Sequence, residues 1–271
     1  MPSNVPLTDK VPPFEFQAGS GPLLVSAPHV GTSLPPCIAA RMNETGLSVG
    51  ETDFNVHRLF DFAPELGAST LFATHSRYVI DLNRAPDSAR LYPGQFETGL
   101  CPLSDFDQTP IYQDDFDPDK AEIAVRLDQY WRPYHDRMRA TLDTIKARHG
   151  YALLIDAHSI RPQIPSLFKG RLPDLNFGTD LGRTLAPRIM AALNDWRENE
   201  TRWSHVVDGR FRGGYTTRHY GQPQDNIFAL QIEIVQDAYL DLKQPRLYDA
   251  AIAQPLSLAL RALTEALLRA L

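Results

Sequence analysis

Apolar positions along the chain fall into two rhythms, short continuous runs of strand length and longer stretches with helical spacing, and the two alternate over most of its length. Continuous runs are the mark of strands buried on both faces. Their alternation with helices predicts an α/β domain with a mixed central sheet flanked by helices. The runs place strands at residues 23–27, 70–74, 78–82, 152–157 and 227–235, and helices begin near Asp53, Asp119, Thr179 and Pro245. Pro133, inside the helical stretch that starts at Asp119, is expected to kink that helix or divide it in two. Residues 85–118, 161–178 and 209–224 follow neither rhythm and read as irregular connections. The first is long enough to be a lid or a wall of a binding site.

Composition narrows the picture. At 271 residues with 43% hydrophobic and 22% charged, the chain can bury one sizeable core, so a single domain over 1–271 is expected. A net charge of -6 offers no diffuse basic field and excludes counterion-driven nucleic-acid binding as a first reading. The most apolar stretch, Leu256 to Leu271, is interrupted by Arg261, Glu265 and Arg269. It reads as an amphipathic surface helix, since a membrane span needs roughly 20 apolar residues. Two cysteines and an amino terminus without a signal-peptide pattern point to a reducing, cytoplasmic setting with no membrane partner.

The candidate chemistry sits where apolar runs stop. Ser26-Ala27-Pro28-His29-Val30-Gly31 delivers a histidine from a strand end into a turn, and Ile155-Asp156-Ala157-His158-Ser159 repeats the arrangement. In open α/β sheets ligands lie outside the carboxyl ends of the strands, so two such histidines predict a shared site; a turn histidine bonded to backbone is the alternative. Asp156 either accepts the N–H of a ligating His158 or caps the following turn. A catalytic metal would need a third ligand, for which Glu51 and Asp53 are candidates, although either also suits a helix N-cap. Arg77 and Arg84 bracket the run 78–82, with Asn83 beside the second. A guanidinium can polarise a carbonyl or grip a carboxylate with two parallel bonds, or it can simply pair with Asp81 or Asp87. Finally, Glu233 interrupts the apolar run Phe228–Val235, where an ionised carboxylate is costly unless paired or functional.

Taken in order, Ser-Ala-Pro-His-x-Gly, the Thr-Asp pair at 52–53, Arg-Tyr-x-x-Asp-Leu-Asn-Arg, Trp-x-Pro-Tyr-His, Asp-Ala-His-Ser, Gly-Gly-Tyr-x-Thr-Arg-His-Tyr-Gly and Gln-x-Glu resemble the N-formylglutamate amidohydrolase family over about residues 20 to 260. The resemblance implies a phosphorylase/hydrolase-like fold, akin to zinc carboxypeptidases, and one zinc ion per chain. It implies His29, Asp53 and His158 as metal ligands, Glu233 as the base and Arg77 as the carbonyl-polarising residue. Asn83 and Arg84 would hold a substrate carboxylate, with Tyr215, Thr216 and His219 in a substrate-facing loop. Carboxypeptidases take their metal carboxylate from His-x-x-Glu, whereas this chain has Thr32 at that position, so Glu51 stays the rival to Asp53. The implied reaction is hydrolysis of N-formyl-L-glutamate to formate and L-glutamate in histidine breakdown, with a small anionic N-acyl amino acid as the partner. The competing readings are another N-acyl amino-acid amidohydrolase of this fold and a metal-free binder of small acidic metabolites.

Overall fold

A computed structural model describes residues 10–89, 94 and 96–271. Seven strands form one mixed sheet: β1 (Phe14–Gln17), β2 (Leu23–Ala27), β3 (Ser69–Ala73), β4 (Ala152–Ile160), β5 (Leu175–Gly178), β6 (His205–Val207) and β7 (Ile227–Val235). Their order is β1-β3-β2-β4-β7-β5-β6. The centre, β3-β2-β4-β7, is parallel, while β1 and β5 pair antiparallel with β3 and β7. The helices are α1 (Pro36–Ala39), α2 (Glu44–Ser48), α3 (Lys120–Arg126), α4 (Arg132–His149), α5 (Pro187–Asn199), α6 (Tyr215–Tyr220) and α7 (Ala250–Arg269). Because β2 leads to β3 on one side while β4 lies on the other, the strand order reverses between β2 and β4. That reversal opens the crevice where such sheets place their ligands.

Every residue of β4 and β7 is buried. On one face, Leu153, Ile155 and Ala157 of β4 and Phe228, Leu230, Ile232 and Ile234 of β7 share a core with Ile189 and Leu193 of α5 and Leu256, Leu260, Leu263 and Leu267 of α7. The carboxyl-terminal helix thus spends its apolar stripe on the sheet, as its amphipathic pattern predicts. On the other face, Leu154 and Ala229 pack with Tyr134, Met138 and Leu142 of α4.

Several boundaries differ from expectation. Residues 78–82 form turns rather than a strand. Tyr78, Val79, Ile80 and Leu82 are buried together, so the apolar run is real, but its main chain is satisfied otherwise. Fully buried Arg126 of α3 donates from Nη1 to the Val79 carbonyl (2.8 Å), and Asp81 N–H donates to Leu100 (2.7 Å). The helix expected near Thr179 begins at Pro187, because the Thr179 hydroxyl instead accepts from Gly182 N–H and closes a turn. The helix expected near Pro245 starts at Ala250, capped by Asp249. The segment after Asp53 is a short 3₁₀ turn, Val56–Phe60. Just ahead of Pro133 the helical stretch is divided as expected: a π turn at Leu127–Trp131 separates α3 from α4 and accommodates the missing donor. Residues 161–178 end in β5 and residues 209–224 contain α6, so neither connection is wholly irregular. Part of the 85–118 connection, residues 90–93 and 95, lies outside the described residues.

Candidate active site

Three parallel strands aim their carboxyl ends at one cavity with an empty volume of about 460 Å³. β2 ends at Ala27 and turns through Pro28, setting His29 at the mouth. Two residues on, the chain crosses the backbone of Thr74 and His75 so closely that a Cβ on Gly31 would fall 2.3 Å from the Thr74 carbonyl carbon, and only glycine fits. β4 supplies His158, and its register partner on β7 is Glu233. Asp53 docks its main chain on the first of these, its N–H donating to the His29 carbonyl (2.9 Å).

His29, Asp53 and His158 form a buried group whose ligand atoms all lie within 4.8 Å of one another. Asp53 Oδ2 is 3.2 Å from His158 Nδ1 and 3.7 Å from His29 Nδ1. The far nitrogen of each ring is backed by a fully buried aspartate: His29 Nε2 by Asp81 Oδ1 at 2.7 Å, and His158 Nε2 by Asp156 Oδ2 at 3.3 Å. Two imidazoles presenting Nδ1, one carboxylate and a carboxylate behind each ring are the donor set of a catalytic metal site with a position left open. The residues fit a metal ion. Glu51, the rival ligand, is turned elsewhere; its Oε1 accepts from Phe106 N–H (3.2 Å) and from Arg161 Nη2 (3.2 Å). Burial pushes the Glu51 carboxyl up to about 7 against the pull of Arg161.

The electrostatics follow from that packing. Burial, helped by Arg77, lowers the His29 pKa and favours the neutral ring that a metal requires. At His158 burial acts in the same direction, but Asp156, Asp53 and Glu233 outweigh it and raise the pKa well above the usual range. Asp81 is buried too, yet Arg77 and His29 hold its carboxyl well below the ordinary range. Burial raises Glu233 to about 7, opposed by His158. Such a carboxyl is poised to exchange a proton near neutrality.

Arg77, Asn83 and Arg84 also line the cavity. Arg77 is buried, ties Nη2 to Asp81 Oδ2 at 2.5 Å and leaves Nε without a partner. Arg84 is held by the Thr98 carbonyl (to Nε, 2.9 Å) and its own neighbour's carbonyl. Asn83 Oδ1 accepts from Thr216 N–H at 2.8 Å, which turns Nδ2 toward His158 Nε2, 3.0 Å away. Tyr215, Thr216 and His219 do not line the cavity. They lie on α6, where Tyr215 stacks on His219 (centroids 4.8 Å apart) and meets Trp131, and Thr216 reaches the site only through Asn83.

The sequence reading did not single out Phe106, Phe211, Gly214 and Gln231 as site residues, although all four line the cavity. The two phenylalanines come from loops, where no rhythm marks them. Gln231 carries the signal that Glu233 does, a polar residue on an apolar strand, two positions earlier.

Buried acid, guanidinium and metal-ligand donors at the open end of a parallel sheet are the layout of a hydrolytic α/β enzyme. The chain belongs to the N-formylglutamate amidohydrolase family, whose model matches residues 21–240. It is 45% identical over 255 residues to an N-formylglutamate deformylase of Pseudomonas aeruginosa, covering 94% of this chain and 96% of that one. It is 43% identical over 260 residues to one of Pseudomonas putida, covering 96% of both chains. The fold matches a solved N-formylglutamate amidohydrolase from Ralstonia eutropha with a TM-score of 0.76 at 25% identity, over 94% of this chain and 99% of that one. A protein from Agrobacterium tumefaciens, 19% identical, shares the fold with a TM-score of 0.72 over 94% of this chain and 96% of its own.

Proposed function

We propose that this protein is a single-domain, metal-dependent N-formylglutamate deformylase that hydrolyses N-formyl-L-glutamate to formate and L-glutamate in the cytoplasmic breakdown of histidine. The observation that carries the reading is the buried His29–Asp53–His158 group lying in one cavity with Glu233, Arg77 and Arg84. The names of the Pseudomonas relatives supply the substrate, and the two free cysteines agree with a reducing compartment.

His29, Asp53 and His158 would hold one ion, and two imidazoles with a carboxylate favour zinc. Zinc, when bound, supplies Lewis acidity and brings the pKa of water toward neutrality. The remaining work falls to the chain. Glu233, steadied by a 3.0 Å bond from Gln231 Nε2, takes a proton from the attacking water and returns it to the amine nitrogen as the C–N bond breaks. Arg77 Nε, buried and unpartnered, is free to donate to the oxyanion that develops on the formyl oxygen. Because Nη2 is fixed to Asp81, that donor is oriented before substrate arrives. With Nε and Nη1 seated on backbone carbonyls and Nη2 3.5 Å from the Thr98 hydroxyl, Arg84 would offer the second N–H of each terminal nitrogen to a substrate carboxylate. If His158 gives its Nε2 proton to Asp156, Asn83 Nδ2 has no acceptor on that ring and adds a second donor for the same carboxylate.

The test is formate release from N-formyl-L-glutamate by purified protein before and after chelation. Turnover that stops on chelation and returns with about one equivalent of zinc is expected. Full activity after complete metal removal overturns the metal assignment, and no formate from zinc-loaded protein overturns the substrate.

A further inference from the structure

The Gly213-Gly214-Tyr215-Thr216 stretch has no role in the mechanism above, yet its main chain reaches into the site twice. Thr216 N–H donates to Asn83 Oδ1, and Gly214 N–H donates to Gln231 Oε1 at 2.7 Å. A side-chain amide carries one acceptor and one donor end, so a main-chain donor on the oxygen decides where the NH₂ group points. At Gln231 it points to Glu233 Oε2, 3.0 Å away and two residues along the same face of β7. Both members of that relay are buried. A Cβ at position 214 would fall 2.3 Å from Asn83 Nδ2, so any larger residue there displaces the Asn83 amide. Gly213 adopts a left-handed φ of 105° to bring Gly214 there.

We propose that Gln231 is the positioning residue of Glu233, and that the Gly213–Gly214 turn exists to orient the Gln231 amide so that it donates to the carboxylate. The inference rests on the proposed role of Glu233 as base. A carboxylate facing one fixed donor loses its choice of rotamer, and the oxygen left over is aimed at one place. The same turn holds Asn83 through Thr216, so the group that moves the proton and a group that grips substrate share one backbone support. Gln231 itself touches no reacting atom in this scheme; its effect passes entirely through Glu233.

That last statement is what a double-mutant cycle measures. Gln231→Met keeps the length of the side chain and removes both the donor and the acceptor. In the otherwise wild-type enzyme we expect it to lower kcat for formate release by about tenfold or more, the scale of losing a partner behind a functional group, with KM within about threefold. Made in Glu233→Gln, the same change should lower kcat less than about twofold, since there is no base left to position. Zinc content, measured by metal analysis, should be equal in all four proteins. Equal fold losses in the two backgrounds overturn the proposal, because a general structural role is additive. So does a rise in KM at constant kcat, which would make Gln231 a substrate contact. Should Gln231→Met not fold, Gln231→Asn answers the question, since it keeps a neutral amide but is one methylene too short to bridge Gly214 N–H and Glu233 Oε2. A wild-type kcat in that variant also overturns the proposal. Failure of the underlying reading shows separately, as Glu233→Gln with undiminished turnover.

Discussion

The two faces of β4 and β7 obey the same alternation and end differently. Under α5 and α7 the face is apolar from Leu153 to Ala157 and from Phe228 to Ile234, with Ser159 following only at the end of β4. Under α4 it begins with Ala152, Leu154, Ile227 and Ala229 and then changes to Asp156, His158, Gln231 and Glu233. Both halves of the second face are buried, so exposure does not separate them. One face holds the sheet to its helices along nearly all its length, and the other does so for half its length and then turns polar, with His158, Gln231 and Glu233 lining the cavity. On the proposed function, stability and turnover should therefore be separable by which side of a strand is altered, even between residues three apart.

Substitutions on the polar half should break turnover most. His158→Ala should lose the metal and lower turnover by about 10³-fold or more, a metal contributing several kcal/mol of transition-state stabilisation. Asp53→Ala should behave alike while Glu51→Gln keeps its metal, which metal analysis of the two variants checks directly. Glu233→Gln should retain the metal and slow formate release by about 10²-fold or more. Its stability should respond to pH as well. In chelated protein the folded pKa of about 7 lies above the ordinary carboxyl value, so the folded state holds a proton the unfolded state has released. That contribution is complete below about pH 4.5 and lost as pH rises through 7, and urea midpoints at pH 5 and pH 8 should differ less in Glu233→Gln than in wild type. Arg84→Lys keeps charge but not the fork and should cost about tenfold in kcat/KM. The smallest effect on turnover belongs to the apolar face: Leu230→Ala should cost about 2–5 kcal/mol of stability by denaturant titration and leave kcat of the folded enzyme within about twofold. A large kcat loss there would dissolve the distinction between the faces.

Strands β2, β4 and β7 are legible because burial on both faces writes a continuous apolar run, and the run 227–235 matches β7 at both ends. The same rule misled at 78–82, where an equally apolar run is buried without strand neighbours. Strands β1, β5 and β6 are three or four residues long and leave no rhythm to read. In the site, His29, His158 and Glu233 stood out as polar residues at strand ends or within a strand. Asp81 did not: beside two arginines it read as a surface ion-pair partner, whereas it is fully buried and holds both His29 and Arg77. That two-sided role depends on a contact across 52 residues, which local spacing does not encode.

Arg126 has a consequence for how the protein comes apart. The segment bearing Arg77, Asp81, Asn83 and Arg84 is in no strand; its carbonyls are seated by buried side chains, Arg126 Nη1 on Val79 (2.8 Å), His135 Nε2 on Leu82 (2.8 Å) and Trp131 Nε1 on Arg84 (3.0 Å), and the Arg126 guanidinium also binds Glu122 (Nε to Oε1, 3.0 Å) and the Tyr112 hydroxyl (3.0 Å). A strand frays one rung at a time, but a segment hung on a few buried side chains, one of them a cation, gives up its anchors together. Removing one partner of such a buried charge is strongly destabilising, so intermediate states are costly. The region around α3, residues 76–84 and Tyr112 is thus expected to open as a unit of its own, which native-state hydrogen exchange would show. Its release would withdraw the support behind His29 and both arginines in one event, so that native-state hydrogen exchange, metal escape and inactivation share a single opening step that leaves the seven strands paired.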